Sequence, residues 1–438
     1  MRQPPEEVNG AEIVKPAQDE NLIVQTREYE LITPLFGGGV EPGECDDLTP
    51  IRGTEIRGHL RFWWRATRGG NPSFEGKLEK MKDAEDRLWG AASAPHKPMP
   101  SQVQIQITVQ ECGGKFITRN HHGDEVPVHH LSTPYGYAAF SLREKPDAIV
   151  KEGIKFSMKI SFPRGDAQEK EVAAALWAWE TFGGLGARTR RGFGALKLVR
   201  IDGQLQTLPS PNPSEIKQFI EQEMNRHTTT GDWPPDVPCL PLQSSYLAIT
   251  ASHNGVRAAW EYLLTSLKEF RHDRPRNRVT DQRTGQQVTR PGRNAWPEPD
   301  EIRRLVPHTS TAHSTPRSNV RKFPRAAFGL PIIFEFKGAG EPRKTTLEGA
   351  TDHQTRLASP LILRPLACAR DKYVGLAVVL DTPRVPPGGV VLKGAPHSPI
   401  VNTELTSAEA KTIPRLNGDE DVLRAFLNYL LTRRNTTA

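Results

Sequence analysis

Apolar residues in the first half of the chain change spacing segment by segment, and the changes spell out an order of elements. Asn21–Phe36 reads as a strand, and Thr54–Arg68 shifts to helical spacing. Gln102–Val109 places Val103, Ile105, Ile107 and Val109 at every second position, and Ile154–Phe162 repeats that alternation with Ile154, Phe156, Met158, Ile160 and Phe162. Ala167–Phe182 returns to helical spacing with Val172, Leu176 and Trp179 on one face, and Ala195–Ile201 supplies a last strand. The predicted order is β-α-β-β-α-β, the ferredoxin-like split βαβ pattern. Between its second and third strands lies an irregular insertion, Glu111–Glu152, containing the run HHGDEVPVHH.

Residues 203–238 are rich in Pro, Ser, Thr and Asn around one charged helical piece, Ser214–Arg226, and read as a connector. The pattern then starts again. Leu240–Thr250, Leu330–Phe336 and Val374–Leu380 are predicted strands; Ala258–Phe270 and Asp419–Arg434 are predicted helices. Arg271–Asn294 is polar, arginine-rich and without periodicity, so a mobile basic insertion is expected there. The expected organisation is an N-terminal extension (1–20), a first α+β domain (21–202), the linker (203–238) and a second domain (239–438).

A length of 438 residues fits two domains of this size. The net charge of +7 is modest over such a length, so charge matters through local clustering. No apolar run approaches a membrane span, and MRQPPEEVNG lacks the features of a secretory leader, so a cytoplasmic protein is expected. Cys45, Cys112, Cys239 and Cys368 are scattered, which argues against a structural zinc site or a disulfide framework. Neither a metal nor another cofactor is expected.

Two segments concentrate chemistry. Gly183–Gly194, GGLGARTRRGFG, holds five glycines and three arginines directly after a buried helix. Glycine permits positive φ and close backbone approach, and guanidinium forks match phosphate oxygens, so the loop suits an anion. Lacking GxxxxGK[ST] and following a helix, it is no P-loop; RGFGALKL mimics an RNP1 octet but lacks its stacking aromatics at Ala195 and Leu198. The second segment is Thr54–Arg68, where Arg57, Arg61, Arg65 and Arg68 share a face. No acidic residue at i±4 offsets those arginines. Thr54 reads as the N-cap beside Arg52 and Gly53, Trp63 and Trp64 as packing residues, and Gly58 as a point of close approach. His59 is a candidate base, more readily read as structural or solvent-facing. His121, His122, His129 and His130 with Asp124 and Glu125 fit no standard zinc spacing, and Asp46 and Asp47 form an acidic pair after a glycine run.

LITPLFGGG (Leu31–Gly39), IRGTEIRGHLRFWWRA (Ile51–Ala66) and WETFGGLGARTRRGFG (Trp179–Gly194) resemble signature segments of the RAMP superfamily, specifically of the large first subunit of Cmr-type (type III-B) CRISPR effectors. RAAFGLPIIF (Arg325–Phe334) and RLASPLILRP (Arg356–Pro365) are similar to second-domain motifs of that subunit. The resemblance implies an α+β chain of two tandem ferredoxin-like (βαββαβ, RRM-like) RAMP domains with irregular insertions. It implies a non-catalytic RNA-binding role near the 3′ part of a guide CRISPR RNA, beside other Cmr-type RAMP subunits, helping capture a target RNA that other subunits cut. The implied RNA contacts fall on Arg52, Arg57, Arg61, Arg65, Arg188, Arg190 and Arg191, with Gly184, Gly186 and Gly192 shaping the loop. The competing enzymatic reading is a metal-independent RAMP endoribonuclease that processes guide precursors.

Overall fold

The computed structural model describes residues 20–39, 44–94, 97–144, 149–272, 274, 276–280, 285–311 and 313–433. Apart from Glu20, the expected N-terminal extension lies outside them. In the first half, β1 (Leu22–Leu31) leads to α1 (Gly53–Arg68), α2 (Leu78–Trp89), β2 (Gln104–Lys115), β3 (Lys151–Pro163), α3 (Asp166–Phe182) and β4 (Leu196–Ile201). The strands pair in the order β2-β3-β1-β4, all neighbours antiparallel, with Gln204–Leu205 extending the edge beyond β4. Each strand that follows α1 or α3 thus lands two places from the strand before it, as a split βαβ crossover requires.

The alternation seen along β3 has its physical cause here. Ile154, Phe156, Met158, Ile160 and Phe162 are buried beneath α1 and α3, together with Ile56, Leu60, Trp63, Trp64, Val172, Leu176 and Trp179. Thr54, expected to cap α1, lies inside the helix; Arg52 occupies the N-cap and offers no side-chain cap. Gly58 is exposed, and a Cβ there would meet nothing within 4 Å, so no other backbone among the described residues makes the expected close approach.

The connector region is more than a tether. Its helix α4 (Pro213–His227) is capped by Asn212 and buries Ile216, Ile220 and Met224 in the same core. Beyond it come β5 (Leu247–His253), α5 (Val256–His272), β6 (Arg276–Thr280), β7 (Gln287–Pro291), α6 (Glu298–Leu305), β8 (Ile332–Phe334), β9 (Thr345–Gly349), β10 (Leu361–Ala367), β11 (Tyr373–Val379), β12 (Val390–Lys393), β13 (Ile400–Val401) and α7 (Val422–Thr432). The central sheet runs β5-β11-β10 and is antiparallel. One face, with Ala377 and Val379, packs among Leu263, Leu267 and Phe270 of α5 and Phe426 of α7; the other, with Val374, Leu376 and Val378, joins the core of the first half. Burial on both faces explains why Val374–Leu380 is continuously apolar.

Two expectations for this half are corrected. Arg271–Asn294, predicted to be mobile and without structure, contains the antiparallel ribbon β6-β7, although residues 273, 275 and 281–284 lie outside the described set. The predicted strand Leu330–Phe336 shortens to β8 and belongs to a separate sheet, β8-β9-β12-β13, with its own core around Ile302, Phe323, Leu347 and Leu392. Glu111–Glu152 is likewise ordered over much of its length. It extends β2 and β3, then forms two 3-10 turns, Pro134–Tyr137 and Phe140–Glu144, whose Tyr135, Ala138, Ala139 and Leu142 pack with Trp260 and Leu264 of α5.

Candidate RNA-binding surface

The glycine and arginine loop is clasped by backbone bonds. Its closing turn joins Leu185 N–H to the Gly194 carbonyl at 3.0 Å, and the segment after β1 receives Gly194 N–H on Pro34 at 2.8 Å and Ala187 N–H on Phe36 at 2.6 Å. Thr33 donates to the Gly192 carbonyl at 2.6 Å and accepts from Ala195 N–H at 2.8 Å, while Gly186 N–H donates to Glu55 in the first turn of α1 at 2.5 Å. The three RAMP-like segments of the first half therefore meet at one point. The glycines are demanded by that approach: a Cβ on Gly184 would stand 2.8 Å from the Gly194 carbonyl, and one on Gly186 (φ +77°) 2.5 Å from the Phe36 carbonyl. Gly192 (φ +80°) faces the other half, where a Cβ would lie 2.7 Å from Nε1 of Trp260.

The loop arginines sit on that junction without carboxylate partners among the described residues. Arg188, itself at φ +61°, lies with its guanidinium carbon 4.5 Å from the centroid of Phe140. Arg190 covers Phe62 at 5.4 Å and donates to the Ser359 carbonyl. Arg191 donates to the carbonyls of Leu361 at 2.8 Å and Arg190 at 3.0 Å, and its own carbonyl accepts from Trp260 at 2.7 Å. Desolvation lowers the Arg190 pKa to about 10; desolvation first, then Arg271, Arg188 and Arg190, lowers that of Arg191 to about 9. Both values leave the groups charged at neutral pH, so the junction carries net positive charge.

Across this junction, Arg364 of β10 is fully buried and donates to the carbonyls of Glu180 at 2.8 Å, Gly183 at 2.9 Å and Leu196 at 2.6 Å. A cation is thus placed at the carbonyl end of α3, where the helix dipole favours it. A charged residue inside the apolar run LILRPLA was the sequence signal for this plug, and it was missed.

The α1 stripe divides. Arg52 donates to the Gly39 carbonyl at 2.8 Å and Arg57 to Val103 at 3.4 Å, and neither has a carboxylate partner among the described residues. Arg61 and Arg65 do: Arg61 Nε lies 2.6 Å and Arg65 Nη1 2.5 Å from Glu85, and Arg61 also reaches Asp86 at 3.3 Å. Arg68 pairs with Glu171. No carboxylate at i±4 offsets the stripe, as expected, but Arg61, Arg65 and Arg68 are paired all the same, because the carboxylates come from α2 and α3 and not from α1. Glu85 and Asp86 are themselves buried, and buried carboxylates call for such partners.

His59 faces Glu55, its Nε2 3.6 Å from the carboxylate. Asp46 accepts from the backbone N–H groups of Thr49 and Leu48, which hold its pKa below the ordinary carboxylate value, and Asp47 pairs with Lys151 at 2.6 Å. The His121 and His122 rings meet at a tilt of 46° in the insertion, and no group of metal-ligating side chains occurs among the described residues. The RNP1-like octet does not offer its aromatic, since Phe193 is buried against Phe36 and Trp260. The open face of the first sheet carries Gln104, Gln106, Thr108 and Lys155, with Lys155 paired to Glu111.

An α+β unit stitched together by a glycine and arginine loop defines a class, and residues 28–197 of the chain match the RAMP superfamily. The chain is similar to the CRISPR system Cmr subunits Cmr1-1 and Cmr1-2 of Pyrococcus furiosus. It is 25% identical to Cmr1-1 over 160 residues, 35% of this chain and 42% of that protein, so the match spans less than half of that relative. Identity to Cmr1-2 is 27% over 186 residues, 39% of this chain and 92% of that protein. The crystal structure of Cmr1 from Pyrococcus furiosus, apo form, aligns with a TM-score of 0.45 at 18% identity over 85% of this chain and 94% of that one. A chain of the type III-B Cmr-beta complex bound to cognate target RNA aligns with a TM-score of 0.49 at 12% identity over 94% of this chain and 100% of that one. No helix among the described residues is long and apolar enough to cross a membrane.

Proposed function

We propose that this protein is a non-catalytic RNA-binding subunit of a cytoplasmic type III-B CRISPR ribonucleoprotein. It sits near the 3′ part of the guide CRISPR RNA beside other Cmr-type RAMP subunits, and helps hold complementary target RNA for cutting elsewhere in the complex. The observation that carries this reading is the set of guanidiniums without carboxylates where the halves meet: Arg188, Arg190 and Arg191. Arg52 and Arg57 extend that charge along α1. Arg61 and Arg65 are held by Glu85, so their part in the proposal is to keep α1 docked on α2. Gly184, Gly186 and Gly192 give the loop its shape. We read β5, α5, β10, β11 and α7 as a second ferredoxin-like unit without its fourth strand, which completes the tandem arrangement.

Phosphate contacts of this type weaken with salt, by a slope of about 0.7 per contact on single-stranded RNA. Arg52→Gln with Arg57→Gln, and separately Arg188→Gln, should weaken binding of a labelled unstructured RNA and flatten its salt dependence. The measurement is made on the full chain and on the reconstituted complex. Unchanged affinity and slope in every variant, in both settings, would overturn the reading. The endoribonuclease alternative is tested by incubating the chain with a repeat-containing RNA in EDTA, where a unique cut abolished by His59→Ala would replace our proposal. Its weakness is geometric: at 3.6 Å the His59 and Glu55 pair exceeds hydrogen-bond length, and the same Glu55 oxygen is already taken by Gly186 N–H at 2.5 Å.

A further inference from the structure

The ordered part of the insertion, residues 134–144, carries two aromatic rings with a cation against each. Phe140 is 49% exposed and has Arg188 of the first half over it. Tyr137 has Arg271 of the second half 5.7 Å from its centroid, and His272 meets the same ring edge-on at 5.4 Å. Arg271 also lies 5.2 Å from Phe328, and its Nε is buried without a hydrogen-bond partner. Its backbone carbonyl is taken by Arg325 at 2.9 Å, which fixes the end of α5.

The charges reinforce one another. Arg271 is close enough to Arg191 to depress its pKa, and desolvation together with Arg325, Arg271, Arg274 and Lys268 pulls that of His272 to about 4. Neither Arg188 nor Arg271 has a carboxylate within ion-pair distance among the described residues. Mutually repelling guanidiniums gathered beside a half-exposed ring make a surface that lacks an anion and offers a stacking platform. Single-stranded nucleic acid supplies both complements: phosphates spaced along a strand and a π-face on every base.

We infer that a single-stranded RNA segment crosses residues 134–144, with a base stacked on Phe140 and neighbouring phosphates held by Arg188 on one side and Arg271 on the other. The inference rests on the RNA-binding reading and deepens it, since it assigns Phe140, Tyr137 and Arg271 to a platform spanning both halves.

The test uses the full chain and a labelled oligouridine, which has no structure to compete. Phe140→Ala and Arg271→Gln should each weaken binding about tenfold, as loss of one stacked base does. Only the second should flatten the salt slope. Ultraviolet cross-linking followed by peptide mapping should place the RNA on residues 134–144. Arg271→Lys, which keeps the charge and the packing stem, should retain most of the affinity and guards against misfolding as the cause. If Phe140→Ala and Arg271→Gln bind like the parent while Arg52→Gln with Arg57→Gln does not, this platform is wrong and the RNA-binding reading stands. If the parent itself fails to bind RNA alone and in the complex, the broader reading fails with it.

Discussion

Gly58 and Gly192 show how differently one residue type is used in this chain. Gly58 is exposed in α1 with open space where a Cβ would sit, so it forfeits the helix propensity of alanine for no contact. Gly58→Ala should raise stability by about 0.5–1 kcal/mol. Gly192 combines φ +80° with a Cβ position 2.7 Å from the Trp260 indole. There Gly192→Ala should cost about 2 kcal/mol or more through strain and displaced packing. Thermal unfolding of the two variants settles it, and equal shifts would contradict both assignments. The same contrast runs through the arginines: Arg61 and Arg65 face a buried Glu85, whereas Arg188 faces only an aromatic ring. Local spacing cannot separate such cases, because the partner of Arg61 comes from 24 residues away and that of Arg188 from a 3-10 turn in the insertion.

Among the elements, α1 and β3 were legible because each buries one face, which imprints a period on the residues. Strand β10 was not, since it is buried on both faces and carries Arg364, a charge that pattern reading counts against a core strand. That arginine is the plug of the whole arrangement. Arg364→Met should leave the carbonyls of Glu180, Gly183 and Leu196 unpaired and destabilise the protein by about 3 kcal/mol, measured as a lowered denaturant midpoint with unchanged slope. A neutral outcome would mean that the carbonyls find other donors. The ribbon β6-β7 was read as unstructured for a related reason: RNRVT and QVTRP carry too few apolar residues to set a hydrophobic period.

The two halves share a core. Ile216 of α4, Val374 and Leu376 of β11 and Trp179 of α3 belong to one apolar cluster, and Arg191, Gly192 and Arg364 cross the same junction. Calorimetry should therefore show both halves unfolding in a single transition; two well-separated transitions would show that the junction contributes little to stability. A rigid junction also suits the function we propose, since a platform spanning both halves keeps its spacing only if they do not move apart.

Periodicity in the chain was enough to specify the first βαββαβ unit, the burial of Trp63 and Trp64, and the meeting of glycine with arginine in one loop. Those features depend on neighbours within a turn or on alternate residues, and sequence records such distances directly. Which guanidiniums remain without counter-charges was settled by folding alone. Glu85 and Asp86 reach α1 from α2, while Arg271 and Phe140 approach the loop from segments far away in the chain. Electrostatic neutralisation is a matter of distance in space, and a pattern read along one dimension carries no measure of it.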